Sequence, residues 1–226
     1  MPPPTETPAP APLGRRAQQK RDKKRRIREA AWQLFTTQGY DATTTSSVAK
    51  RARVATGTLF LYAKDKPDLL FLVFRDRLRS AVDAQFASMP CDAPLLEQLL
   101  HLFRGLFEMY AEHPAVAAEF VRALPGADGP NAMAVNSYSM VFLQRIAGLV
   151  QAAQARGEVA ADISPFQAAS NIFSLYFGAL LVWLSGFGDL ASALDPGLRG
   201  ALELQMCGLR RRDCGEGWSP TRPPSS

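Results

Sequence analysis

The side chains with the clearest chemistry lie between Ile27 and Leu70, in the run IREAAWQLFTTQGYDATTTSSVAKRARVATGTLFLYAKDKPDLL. Thr56, Thr58, Phe60, Leu61 and Tyr62 put hydroxyl, apolar and aromatic groups on what reads as one short helix, and Lys66 follows just beyond it. Such a helix, presented by a helix-turn-helix, has a known physical job, which is to lie in the major groove of DNA. Enzyme chemistry is poorly served: there is no nucleophile elbow, no phosphate-binding Gly-rich loop and no metal-spaced His/Cys set. His101 and His113 are the only histidines. Cys91, Cys207 and Cys214 are scattered without metal or redox spacing and read as ordinary reduced thiols. No cofactor and no metal site is expected. The odd cysteine count and the absence of a signal-peptide pattern fit a cytoplasmic protein.

The elements that must position these residues follow from periodicity. Ile27, Ala30, Ala31, Leu34 and Phe35 repeat at helical spacing and form one apolar face. Gln38-Gly39 ends that helix. The Thr43–Ser46 cluster is rich in N-cap residues and opens a second, short helix carrying Val48, Ala49 and Ala52. Thr56 to Tyr62 predicts a third helix of two turns, and Lys66-Pro67-Asp68 opens a fourth that runs to Ala87. Further apolar periodicities predict helices over 95–112, 115–124, 132–156, 165–185 and 196–211. There is little strand signal, and the fold expected is all-α.

Charge is unevenly placed. Residues 1–66 carry 14 Lys and Arg against 5 Asp and Glu, a net of +9, whereas the rest of the chain is net −4. The positive charge sits with the helix-turn-helix pattern, as a DNA-binding footprint requires. Four regions are expected. Residues 1–20 form a disordered Pro/Ala-rich and basic arm, suited to non-specific phosphate attraction or to minor-groove reading. Residues 21–66 form the helix-turn-helix domain, 67–212 a helical regulatory and dimerisation domain, and 213–226 a disordered tail.

The chain resembles the TetR family of bacterial transcriptional regulators. The resemblance rests on Ala30-Ala31, Leu34-Phe35, Gly39-Tyr40, Ala42-Thr43-Thr44, Val48-Ala49, Ala52, Val54, Gly57-Thr58-Leu59-Phe60, Tyr62, Lys66 and Leu69-Leu70, in that order and spacing. It implies that Thr44 or Thr45 begins the second helix and that Gly57 to Tyr62 form the recognition helix. The DNA-facing set it points to is Thr45, Ser46, Thr56, Gly57, Thr58, Phe60, Leu61, Tyr62 and Lys66. Tyr62 and Lys66 are the phosphate contacts, Gly57 permits close backbone approach, and Leu59 is core. Three positions depart from the family pattern. Arg53 stands where a turn glycine is usual and costs about 1 kcal/mol if its φ is positive. Ala55 replaces a capping Ser or Thr. Ala63 replaces an aromatic and thins the packing under the recognition helix.

The resemblance also implies a ligand-responsive regulator, most simply a repressor, binding a palindromic double-stranded DNA operator as a homodimer. The alternatives are a constitutive regulator without a ligand and, less favoured, a helical enzyme. The body is expected to take a small hydrophobic or aromatic effector in a pocket walled by Phe103, Phe107, Tyr110, Phe120, Tyr138, Phe142, Asn171, Phe173 and Phe177. His113 is placed at a helix end facing water. Residues 164–188 contain no charged side chain, which raises the question of a membrane span. The polar Gln167, Ser170, Asn171 and Ser174 and the lack of flanking Lys/Arg argue instead for burial at a dimer interface formed by the last two helices.

Overall fold

The structure, a computed structural model, describes residues 14–209. The expected disorder of residues 1–13 and of the 213–226 tail lies outside these. Among the described residues every regular element is helical.

Helix α1 spans Arg15–Thr37. The expected disordered arm is corrected over residues 15–20, which are already helical. Arg, Lys, Gln and Ala are strong helix formers, and Arg25 and Glu29 pair at 3.2 Å one turn apart. The first half of α1 is mostly exposed, and its buried face begins at Ile27. Helix α2 (Thr45–Arg51) is opened by a capping box in which Thr44 and Ser47 satisfy each other's backbone N–H groups. Helix α3 is only Thr56–Leu59, not the two turns expected through Tyr62. Ala55 gives it no side-chain cap. The chain then tightens into three-residue turns, with Leu61 N donating to the Thr58 carbonyl at 3.2 Å and Tyr62 N to that of Leu59 at 2.8 Å.

Helix α4 (Lys66–Ala87) starts with Asp65 capping the Asp68 N–H at 2.8 Å and Pro67 in its first turn. The body adds α5 (Leu95–Ala111), α6 (Pro114–Ala123), α7 (Pro130–Ala155) and α8 (Pro165–Leu184). The last stretch differs from the single helix expected from Pro196. Short α9 (Leu190–Ser192) runs into a wide turn over Ala193–Leu198, and α10 (Arg199–Leu209) follows. Asp195, held extended before Pro196, breaks the helix there.

One apolar core runs through the whole structure. In the head it joins Ile27, Leu34 and Phe35 of α1 to Val48 and Ala49 of α2, to Leu59, and to Leu69 and Leu70 of α4. Helix α4 then carries the core into the body, where it packs on α5, α6 and α7.

Candidate nucleic-acid interface and effector cavity

The short α3 turns an apolar tip outward. Leu59 is fully buried beneath it, while Phe60 is 48% and Leu61 80% exposed. Thr56 and Gly57 are exposed and Thr58 is half-buried. A Cβ at Gly57 would meet nothing within 4 Å, so the backbone is open to close approach. On α2, Ser46 is exposed and Thr45 half-buried. The Tyr62 hydroxyl donates to the Lys20 carbonyl at 3.4 Å, which ties the turn after α3 to the basic half of α1. The Lys66 ammonium donates to the Asp41 carbonyl at 3.1 Å and lies 4.2 Å above the Tyr40 ring. Burial, and then the nearby Glu119 and Asp65 charges, push the Tyr40 phenol up to about 12. Arg53 has φ +54, the one positive φ among described non-glycine residues, so the strain expected of an Arg in this turn is present.

Head and body meet at two places along α4. At its start Asp68 is 2% exposed. Its carboxylate accepts from Lys64 N (3.0 Å), Asn131 N (2.9 Å), Asn131 Nδ2 (2.9 Å) and Ala132 N (3.2 Å). Asn131 Nδ2 also donates to the Tyr62 carbonyl at 2.8 Å. The turn that follows α3 is thus tied to the first turn of α7 through one buried carboxylate. Two turns along α4, Asp76 pairs with both Arg28 of α1 and Arg75. Lys24 stands close by; burial, then the Arg75 charge, hold its ammonium below the usual range. Trp32 of α1 lies edge-on to Phe74 and His113, with the Arg77 guanidinium 4.1 Å over its ring. His113, expected to face water at a helix end, does sit at the start of α6 but against the head. Sequence reasoning missed Asp68, Asn131 and the Arg28–Asp76–Arg75 group.

Helices α4 to α8 enclose a small cavity of about 60 Å³. Of the pocket residues expected from sequence, Tyr110, Phe120, Tyr138, Phe142, Phe173 and Phe177 line it. Phe103 and Phe107 do not: they are fully buried behind Tyr176, Phe103 stacked on its ring at 4.5 Å. Asn171 does not either, since it is exposed and bonded to Gln167 at 3.1 Å. Asn171 and Ile172 are adjacent on α8, and only Ile172 faces inward. The cavity wall has one ionisable cation, Arg75. Its polar groups include the Tyr110 and Tyr176 phenols, both held neutral by burial, and the Tyr138 hydroxyl, which is buried without a hydrogen-bond partner.

These features define a class: an all-helical protein with a basic helix-turn-helix head and a helical body that continues the same core and encloses a small apolar cavity. Residues 27–73 match the family described as bacterial regulatory proteins, tetR family. The chain is 24% identical over 194 residues to the fatty acid metabolism regulator protein of Bacillus subtilis, covering 86% of this chain and 99% of that one. It is 29% identical over 191 residues to the HTH-type transcriptional repressor KstR of Mycobacterium tuberculosis, covering 83% of each. Among solved structures, Thermus thermophilus FadR, a TetR-family transcriptional repressor in complex with lauroyl-CoA, aligns with a TM-score of 0.68 at 26% identity, covering 88% of this chain and 100% of that one. Residues 27–73 are a DNA-binding segment of the tetR family of bacterial regulatory proteins, and the chain is a ligand-responsive, DNA-binding transcriptional regulator rather than an enzyme.

Proposed function

We propose that the protein is a cytoplasmic repressor that binds a palindromic operator as a homodimer and is released from it by a fatty acyl-CoA thioester. The observation that carries the effector class is the cavity: aromatic and aliphatic walls from five helices, with Arg75 as the single cation. Apolar walls with few polar groups suit an acyl chain, and FadR of Thermus thermophilus, similar over its whole length, is described as holding lauroyl-CoA. At about 60 Å³ the space holds a handful of waters, well short of the roughly 300 Å³ or more of ordinary ligand sites. An acyl chain therefore enters only if the helices part. Because α4 forms one wall, binding and a change of head pose are the same event.

The DNA-facing set we assign is Thr45, Ser46, Thr56, Gly57, Thr58, Phe60, Leu61, Tyr62 and Lys66, on a head that ends at residue 66. The dimer face we assign is α8 with α10. Phe166, Val182 and Leu204 of these helices and Phe187 just after α8 stay exposed, and no charged residue interrupts residues 164–188. Among the described residues α8 is the one helix long and apolar enough to cross a membrane; a second copy of the chain covers it equally well. Two heads related by a two-fold axis read half-sites about 34–36 Å apart or a multiple of it.

The test is selection of bound sequences from a random DNA pool, followed by calorimetric titration of the dimer with lauroyl-CoA. A palindromic consensus and saturable binding are expected. Absence of any enriched sequence would remove the DNA reading, and absence of lauroyl-CoA binding would remove the effector class.

A further inference from the structure

From the α3 tip we infer that operator sequence is read mainly through thymine C5-methyl groups, contacted by Leu61 and Phe60. The inference rests on the DNA-binding reading above and deepens it. From Thr56 to Tyr62 there is no Arg, Lys, Asn, Gln, Asp or Glu. The bidentate pairs that recognise guanine (Arg, Lys) and adenine (Asn, Gln), and the acceptors that take the cytosine amine (Asp, Glu), are therefore absent from this element. Its hydrogen-bonding side chains are the hydroxyls of Thr56, Thr58 and Tyr62, and that of Tyr62 is turned to the Lys20 carbonyl. The nearest guanidinium on α2, Arg51, is held at 2.9 Å by Gln33 of α1.

What the tip does present is apolar. Leu61 is 80% and Phe60 48% exposed, and neither belongs to the core that buries Leu59 beside them. Lys20, Lys50 and Arg53 of the same head are exposed and carry positive charge, so the occupant the tip fits is a polyanion that also offers an apolar group. In the major groove the one apolar group on any base edge is the thymine methyl. The Thr56 and Thr58 methyls lie on the same short helix and extend the surface.

The experiment uses the full-length dimer and the consensus chosen from a random pool. Thymines are expected at symmetric positions in both half-sites. Replacing such a thymine by uracil removes only the methyl group, and affinity should fall about fourfold in one half-site and about sixteenfold in both, the worth of one buried methyl each. The Leu61→Ala variant, altered at an exposed position that leaves folding intact, should bind the thymine operator more weakly and lose most of its sensitivity to uracil. Uracil operators bound as tightly as thymine ones, or Leu61→Ala retaining full sensitivity, would overturn the inference while leaving the regulator reading in place. Failure to bind any DNA would overturn both.

Discussion

At the start of α4, the Asp68 carboxylate is buried and takes four N–H donors from two parts of the chain. Two turns later on the same helix, Asp76 is shared between Arg28 and Arg75 at side-chain exposures of 27–39%. The first seam leaves no buried polar atom without a partner among its own residues. The second leaves Arg77 Nε buried and unbonded, beside an open cleft of about 810 Å³ lined by Trp32, Asp76 and Arg77. A buried carboxylate with all its partners has one arrangement of low energy. A half-exposed pair of arginines on one acid has several, separated by about 1 kcal/mol or less. If the proposed effector response holds, Asp68 keeps the turn after α3 on α7, and the α1–α4 seam is the part expected to give way when the body changes shape. Arg75 belongs to both the cavity wall and the yielding seam, so an effector that displaces it disturbs the Asp76–Arg28 pair across to the head.

Breaking the pin has the largest expected effect. Asp68→Ala leaves four donors without their acceptor and should cost about 3–5 kcal/mol in urea unfolding; a loss under about 1 kcal/mol would make the two seams equivalent. Gly129→Ala strikes the same seam by crowding, since a Cβ there would lie 2.2 Å from Asp68 Oδ1. About 1–3 kcal/mol of destabilisation is expected by the same assay. Arg53→Gly relieves a positive φ in the head and should raise stability by up to about 1 kcal/mol, read as a higher unfolding midpoint.

The yielding seam predicts the opposite profile. Asp76→Asn should change stability by about 1 kcal/mol or less while altering the ratio of operator affinities with and without effector by about 0.5–2 kcal/mol. A large stability loss with an unchanged ratio would reverse the assignment. The smallest effect is outside both seams. Lys66→Ala should weaken binding to all DNA alike and lower the salt-dependence slope by about one, measured as affinity against salt concentration. A loss confined to the cognate operator would contradict a phosphate contact.

Most of the head was readable because its helices are amphipathic and its turns carry their own chemistry. Ile27 to Phe35 declared a buried face, and the Thr43–Ser46 cluster declared a helix start without saying which residue caps it. The α3 length was not readable, since Phe60 and Leu61 look like helix whether the last turn is α-helical or tighter. Asp68 reads in sequence as one more acid in a helix's first turn. Only the arrival of Asn131 from 63 residues away makes it a pin. In the body, aromatics recur at helical spacing on α5, α7 and α8, and periodicity places them inward without saying which border empty space. Phe103 and Phe107 therefore looked the same as Tyr110 from sequence, although only Tyr110 reaches the cavity. Asn171 belongs with Gln167, Ser170 and Ser174 to one outward polar stripe of α8; it was misplaced because that stripe was not separated from the inward face that carries Ile172 and Tyr176.

The central claim is that filling the body cavity changes the pose of the head. It is tested most directly by the affinity of the full-length protein for its selected operator, with and without saturating lauroyl-CoA. The account predicts at least tenfold weaker binding with the thioester present, a coupling of about 1.4 kcal/mol or more, and the same factor in lauroyl-CoA affinity when operator is bound. An operator affinity that stays the same while lauroyl-CoA is demonstrably bound would contradict it.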